Sequence, residues 1–490
     1  SVQVEQLNRL LFGDNPVPQD VERWHTQGFN FSSNPEIPYG LVQLYGGPCG
    51  ILAPVQAFVV KELLFGESPS GVSINSSSGS IGACPALSSV NDEKRTRALV
   101  TALKLISFRA ASRSDDSKCS ESSSRGPIAV VSGTDISNLL LHSFSDAEGA
   151  AKFYASDEGL NCIRSQIGVL CFVYSVILTR GVEAVKEEMD DAESPLVGRF
   201  GHCSQELVNL MLTGKAVTNV FDGAKVLGGG YKLQGIDETS EVGFLTLLEY
   251  LRYSKVGDNY KCPHFPVWVI GSESHYTVLF GVDKRIGRMT SKAKKLKAAK
   301  TAFLELDPEE NGFIRVEQIG ALAEKLSLTH IPLERLRDLA DPDGIGLCLW
   351  NKVVSLVENN DTINAEPTPV MRSLQVQWNC AVCTYLNPAN VQQCDMCGGS
   401  KPPPPKIQVV APQPQQVEDE EVKVCQLFHF NGIDGHGQQE AQCTAVNVTV
   451  LDSDFQSPPS HDGKHGLKEV ICTRWPSAVV DFPAGQEPKI

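Results

Sequence analysis

Residues 43–65 read QLYGGPCGILAPVQAFVVKELLF, and this stretch puts one thiol where chemistry can use it. Gly46, Gly47 and Pro48 break the backbone immediately before Cys49, and Ile51, Leu52, Val55, Phe58, Val59 and Leu63 then follow a helical apolar pattern. Cys49 therefore stands at a helix N-terminus. The unpaired N–H groups and the macrodipole there favour an anion, which predicts a thiol pKa drawn down toward the reactive range. A cysteine taken at random is a small core hydrophobe. The glycine-proline turn and the helix start set this one apart.

A thiol nucleophile needs a base. Among ten histidines, His275 stands in a strongly strand-like run, PVWVIGSESHYTVLFGVD at 266–283. Val267 and Val269 before it, and Val278 and Phe280 after it, alternate as in a central strand, with polar Ser272, Glu273 and Ser274 where a surface would open. A general base on a rigid strand facing a thiol on a helix N-terminus is the Cys–His layout of papain-like proteases. The competing reading is a half-buried structural histidine.

These residues carry a resemblance. Gln43 six positions before Cys49, the block GHCSQELVNLMLTGKAVTNVFDG at 201–223, and FPVWVIGSESHYTVLFG at 265–281 resemble the MINDY family of deubiquitinating cysteine proteases, and most closely a branch with an EF-hand pair after the histidine strand. The resemblance implies that Cys49 is the nucleophile, His275 the general base and Gln43 a donor to the oxyanion at the scissile carbonyl. A side-chain amide suits that role because it supplies an N–H without a charge. The resemblance also implies a preference for long chains linked through lysine forty-eight of ubiquitin.

Composition narrows the class. A chain of 490 residues predicts two or three domains, and 41% hydrophobic content suffices for packed cores. A formal charge of −15 argues against a general nucleic-acid or anionic-membrane binder and suits a partner with a basic face, as ubiquitin has. No signal-peptide pattern is visible, and the longest apolar run, Ile167 to Thr179, is too short to span a bilayer. With an odd count of 15 cysteines, a reduced cytoplasmic or nuclear setting is expected. The sequence opens at Ser1 without a methionine, which fits processing or a missing start.

The organisation is read as follows. Residues 1–285 form the first part of a catalytic domain, interrupted by Ser-rich passages after 65 and at 111–126 that read as surface loops. Helices are expected over NDEKRTRALVTALKLISFRA, around Ile167–Leu178 and from Ser204, the last carrying Leu207, Leu210 and Met211 inward. Lysines 292, 294, 295, 297 and 300 read as the wet face of a helix leading into the next module.

Residues 286–365 carry two EF-hand-like loops. In the first, Asp307, Glu309 and Asn311 take ligand positions and Gly312 the sharp turn, but Gln318 stands where a bidentate glutamate closes a calcium cage. The second, from Asp341, has Ile345 and Lys352 at ligand positions. A structural pair without Ca2+ is expected. Residues 374–402 hold Cys380, Cys383, Cys394 and Cys397 as CxxC-x10-CxxC, the spacing of a structural Zn2+ site. Trp378 and Asn387 match a RanBP2-type finger. Thr384, Tyr385 and Met396 resemble its ubiquitin-binding kind, and the arginines beside stacking aromatics that an RNA reader needs are missing.

A Pro-rich, acidic linker at 403–422 leads to 423–486, read as three strands too few to fold alone. They are expected to rejoin the catalytic sheet, with the EF-hand pair and finger inserted between two adjacent strands. Asn431, closing VCQLFHFNG, then falls where a Cys–His protease orients its imidazole; His429 on the same strand is a rival base. The expected fold is a papain-like α/β (α+β) cysteine protease with an inserted all-α EF-hand pair and a small zinc finger. The expected function is cleavage of polyubiquitin, with ubiquitin as partner and neither nucleic acid nor membrane. The rival readings are a catalytically silent ubiquitin-binding scaffold and an RNA-associated zinc-finger adaptor.

Overall fold

In a computed structural model, the described residues are 2–44, 46–66, 84–111, 126–289, 291–309, 311–326, 328, 331–358, 422–433, 441–451, 465–483, 485 and 487–490, with Trp378, Asn379, Val382, Leu386, Asn387, Val391, Gln393, Met396, Cys397 and Gly398. The chain divides into two compact units, residues 1–288 with 422–490, and residues 289–421.

The first unit is mixed α/β and is built on a six-stranded sheet. Its spatial order is Ala478–Asp481, Gln442–Val450, Val424–Asn431, Tyr276–Gly281, Val267–Gly271, Gly243–Thr246. Neighbours are antiparallel except the last pair, which is parallel. Strand alternation sends one set of side chains to each face. Val267, Val269, Val278, Phe280, Phe428 and Phe430 join the larger core, which also takes the almost wholly buried helix Cys49–Phe65. Trp268, Ile270, Leu279, Leu427 and Val446 turn the other way onto Leu467, Val470 and Ile471.

Two segments differ from the sequence expectation. Residues 266–283 are not one central strand but a tight antiparallel hairpin, because Gly271 to His275 turns the chain and the Ser272 amide bonds back to the His275 carbonyl at 2.9 Å. The stretch before Trp475, expected as strand, is the helix Leu467–Arg474. Leu467, Val470 and Ile471 recur at helical spacing, and the Glu469 carboxylate accepts the Gly466 amide at 2.8 Å to close the first turn.

Helices cover Cys49–Phe65. Asp92–Ala110 starts on an Asn91 cap, whose side chain accepts the Lys94 amide. Gly168–Arg180 is apolar all round and buried. Gln205–Thr213 starts on Ser204 and buries Leu207, Leu210 and Met211. It ends at Gly214, whose φ of +82° and 2.3 Å clearance from the Arg109 carbonyl to a built Cβ admit glycine alone.

The second unit has its own core. Helices Ser291–Leu304, Ile319–Lys325, Leu333–Ala340 and Trp350–Glu358 bury Phe303, Ile314, Leu322, Leu336, Val353 and Leu356, and short strands Phe313–Arg315 and Leu347–Leu349 pair antiparallel between them. Asp307 accepts the Asn311 and Gly312 amides, and Asp341 accepts those of Ile345 and Gly346, so each acidic side chain that opens a loop is engaged by that loop's backbone. Gln318 Oε1 accepts the Arg315 amide at 2.9 Å.

Candidate active site

Gly47 shapes the approach to Cys49. Its φ is +136°, and a Cβ built there would lie 3.3 Å from Arg23 Cβ and 3.5 Å from the Gly201 carbonyl. Pro48 caps the helix and its carbonyl takes both the Ile51 and Leu52 amides. Cys49 is the first helical residue. Its thiol is buried, 2% exposed, and points to the Gly47 carbonyl at 3.7 Å.

The expected depression of the thiol pKa is reversed. Burial pushes Cys49 up to about 11, against backbone N–H groups of Tyr276, Gly50 and Cys49 that favour the thiolate. Desolvation of a nearly inaccessible sulfur outweighs the helix terminus, so the free protein holds a neutral thiol. The link to Tyr276 places the sulfur against the start of the histidine strand.

His275 immediately precedes that strand. Its Nε2 lies 2.9 Å from Asn431 Oδ1, and the same Oδ1 accepts the Ile433 amide at 3.0 Å. An atom accepting a backbone N–H is the amide oxygen and has no proton to give, so His275 Nε2 is the donor. The lone pair therefore sits on Nδ1. Burial lowers the His275 pKa, the Asn431 bond raises it, and nearby His202 lowers it further, so the imidazole rests neutral.

The rival His429 is placed differently. Fully buried opposite Leu279, it bonds Thr277 Oγ1 at 2.9 Å, and burial pushes its pKa down to about 3. An imidazole that resists protonation so strongly is a poor general base at neutral pH.

Gln43, Cys49, Tyr276, Thr277, Phe430 and Gly432 line one narrow cavity. The Gln43 backbone amide donates to the Gly432 carbonyl at 2.9 Å, tying the segment before Cys49 to the end of the strand that carries Asn431. Two glutamines that the sequence reading passed over fix this region. Gln27 Oε1 accepts the Leu44 amide at 3.0 Å and its Nε2 donates to the Val42 carbonyl; Gln56 does the same for Leu41 and Tyr39. Gln56 has a sequence signal, an amide inside the apolar run APVQAFVV; Gln27, in RWHTQGFNF, has none. Cys203 was also missed. Its thiol points to the same Gly47 carbonyl at 4.0 Å, and burial, then Cys49, push its pKa well up.

Of the other site residues, Cys380, Cys383, Cys394, Thr384 and Tyr385 lie outside the described residues. Cys397 is exposed and Met396 is 72% exposed. Trp378–Asn379 pairs antiparallel with Leu386–Asn387, a two-residue ladder across the first cysteine pair. Among the described residues no group of three His, Cys, Asp or Glu side chains is placed to hold a metal. As a donor set, four cysteines at this spacing suit Zn2+.

Residues 8–299 match the family model "Deubiquitinating enzyme MINDY-3/4, conserved domain". The chain is 36% identical over 377 residues to a Bos taurus protein named ubiquitin carboxyl-terminal hydrolase MINDY-3, covering 70% of this chain and 80% of that one. A Xenopus tropicalis protein of the same name is 38% identical over 343 residues, covering 67% and 75%. A Homo sapiens protein named probable ubiquitin carboxyl-terminal hydrolase MINDY-4 is 36% identical over 297 residues, covering 57% of this chain and 36% of its own. No solved structure matches.

Proposed function

The chain belongs to the MINDY-3/4 family of deubiquitinating enzymes and is a cysteine-type ubiquitin carboxyl-terminal hydrolase, and we propose that Cys49, His275, Asn431 and Gln43 carry its chemistry on a papain-like fold. The observation that carries this reading is the His275–Asn431 hydrogen bond, which leaves Nδ1 as the basic nitrogen at the thiol's end of the strand.

In this mechanism His275 Nδ1 takes the Cys49 proton as the sulfur attacks the carbonyl of a ubiquitin C-terminus. The Gln43 side-chain amide and backbone N–H groups near Cys49 stabilise the oxyanion. The imidazolium then protonates the departing amine, the C–N bond breaks, and a thioester remains. Water, deprotonated by His275, attacks the thioester, and the thiol leaves with its proton restored. Ubiquitin or polyubiquitin is the substrate; linkage through lysine forty-eight is the finer reading. Burial favours a neutral Cys49 thiol in the free protein, and the presence of Cys49, His275 and Gln43 together weighs against a catalytically silent scaffold.

Residues 286–365 are read as a degenerate EF-hand pair that does not need Ca2+, supported by Gln318 and Lys352 at both closing positions. Residues 374–402 are read as a zinc finger in which Cys380, Cys383, Cys394 and Cys397 would hold Zn2+, the ion supplying folding energy to a segment without a core. Its Thr384, Tyr385 and Met396 would hold a second ubiquitin and raise effective concentration on chains. The cysteine count favours a reducing compartment, cytoplasm or nucleus.

Incubation with ubiquitin bearing a C-terminal electrophile tests the assignment. One adduct on Cys49 is expected, absent from Cys49→Ala. An adduct mapped by mass spectrometry to another cysteine overturns it.

A further inference from the structure

Among the described residues only Phe200 and Arg252 are non-glycine residues with positive φ. Phe200 has φ 61° and ψ 17°, the left-handed region that an aromatic residue occupies only when its surroundings force it. The forcing contacts are present. Asp20 Oδ2 accepts the Phe200 amide at 3.0 Å, Arg23 Nη1 donates to the Phe200 carbonyl at 3.2 Å, and Trp24 Nε1 donates to the Gly201 carbonyl at 3.0 Å. The helix Pro18–Trp24 thus grips the turn on both sides of the aromatic residue. Behind it, the Gly198 amide donates to the His202 carbonyl at 2.8 Å and Val197 pairs with Cys203, closing a small loop.

This arrangement leaves the residue mostly in water. Phe200 is 63% exposed, and its described aromatic neighbour is His202 at 6.3 Å between centroids. A strained backbone held by three hydrogen bonds to keep a phenyl group in water has no folding rationale, because the same turn with glycine would be relaxed and equally soluble. The ring's location supplies one. Gly201, the next residue, packs against Gly47 in the turn before Cys49; Cys203 shares the Gly47 carbonyl with the Cys49 thiol; and His202 is close enough to His275 to influence its charge. The ring stands at the rim of the catalytic centre, on the loop that walls the nucleophile turn.

We propose that Phe200 is a specificity-determining residue that seats the extended C-terminal tail of ubiquitin on its way to Cys49. The tail ends in two glycines, which slide through a narrow passage and offer no side chain to hold, so the grip must fall on the apolar and basic side chains just before them. An exposed aromatic ring fits the apolar ones. A fixed ring also loses little freedom when the substrate arrives, which is what the strained backbone secures.

The inference rests on the deubiquitinase reading, and the test separates the two. Phe200→Gly keeps the turn, since glycine adopts positive φ freely, and removes the ring; Phe200→Tyr keeps the ring. With ubiquitin carrying a C-terminal fluorophore, Phe200→Gly should raise KM at least about tenfold with kcat within about threefold of wild type, while Phe200→Tyr stays within about threefold on both. Alkylation of Cys49 by chloroacetamide and the thermal midpoint should not fall in Phe200→Gly, so a loss caused by a disturbed nucleophile turn would be visible as such. KM within twofold of wild type, or a fall in kcat at unchanged KM, overturns the role of Phe200. Wild-type protein that is inactive on that substrate and also unreactive toward ubiquitin bearing a C-terminal electrophile overturns instead the assignment of Cys49, His275 and Gln43.

Discussion

Asn431 fixes the tautomer of His275 from 156 residues away, through a 2.9 Å contact between Oδ1 and Nε2. Asn431 ends one strand and His275 immediately precedes its antiparallel neighbour, and the step repeats: His429, paired with Leu279, reaches two residues on to Thr277. One rung is a buried, inert pair and the next is the candidate base with its orienter. The difference is burial, since His429 is 1% exposed while His275 sits at the mouth of the hairpin.

Asn431→Ala should lower kcat by about a hundredfold with KM little changed, because the imidazole loses its tautomer and orientation rather than its contact with substrate. Asn431→Asp puts a carboxylate at the same distance, which favours the imidazolium and moves the acidic limb of the kcat/KM profile to higher pH. Steady-state pH profiles of the three proteins check both; an unshifted limb in Asn431→Asp would mean that the contact does not exist in solution.

The Cys49 thiol, raised to about 11, should be almost wholly protonated at pH 8, roughly one part in a thousand being thiolate. Iodoacetamide labelling of Cys49 in the free protein should therefore climb about tenfold per pH unit from pH 8 to 10. A rate already level at pH 7 would show a resting thiolate instead.

Gln43→Ala should cut turnover by roughly a hundredfold, the scale of one oxyanion donor, with ubiquitin affinity nearly intact. The Gln43 backbone amide, which the substitution spares, still holds Gly432. A loss of only a few fold would make Gln43 a structural amide.

Replacing Thr384 and Tyr385, or Met396, should weaken capture of polyubiquitin while leaving zinc bound, since none is a thiol ligand. Cleavage of a ubiquitin–fluorophore substrate should persist and cleavage of long chains should slow. Pull-down of polyubiquitin at wild-type strength would remove the finger from the mechanism.

Local pattern carries part of this molecule in legible form. Cys49 at a helix start is written in Gly-Gly-Pro followed by an apolar helix, and the all-apolar run around Ile167 to Leu178 reads directly as a buried helix. The mixed α/β class of the protease unit is legible for the same reason. The thiol pKa is not, because desolvation depends on what packs over residue 49, and that comes from the histidine hairpin and from Cys203. The hairpin within 266–283 hides behind apolar residues that alternate equally well on either side of a turn. The helix Leu467–Arg474 hides in a segment short enough to satisfy both periods. The strain at Phe200 has no sequence signature, since it is imposed by Asp20, Arg23 and Trp24.

The strand Val424–Asn431 also sets a clock. A chain emerging from the ribosome has its thiol, its imidazole and its amide early, but the edge of the histidine strand stays unpaired until more than a hundred further residues have been made. Through that interval the protease is a half-sheet with an open hydrogen-bonding edge, prone to sticking to other strands and lacking the Asn431 contact to His275. Synthesis therefore delays activity until Val424–Asn431 has been made. A product cut short anywhere in the insertion keeps Gln43, Cys49 and His275 and should still be a dead, aggregation-prone enzyme.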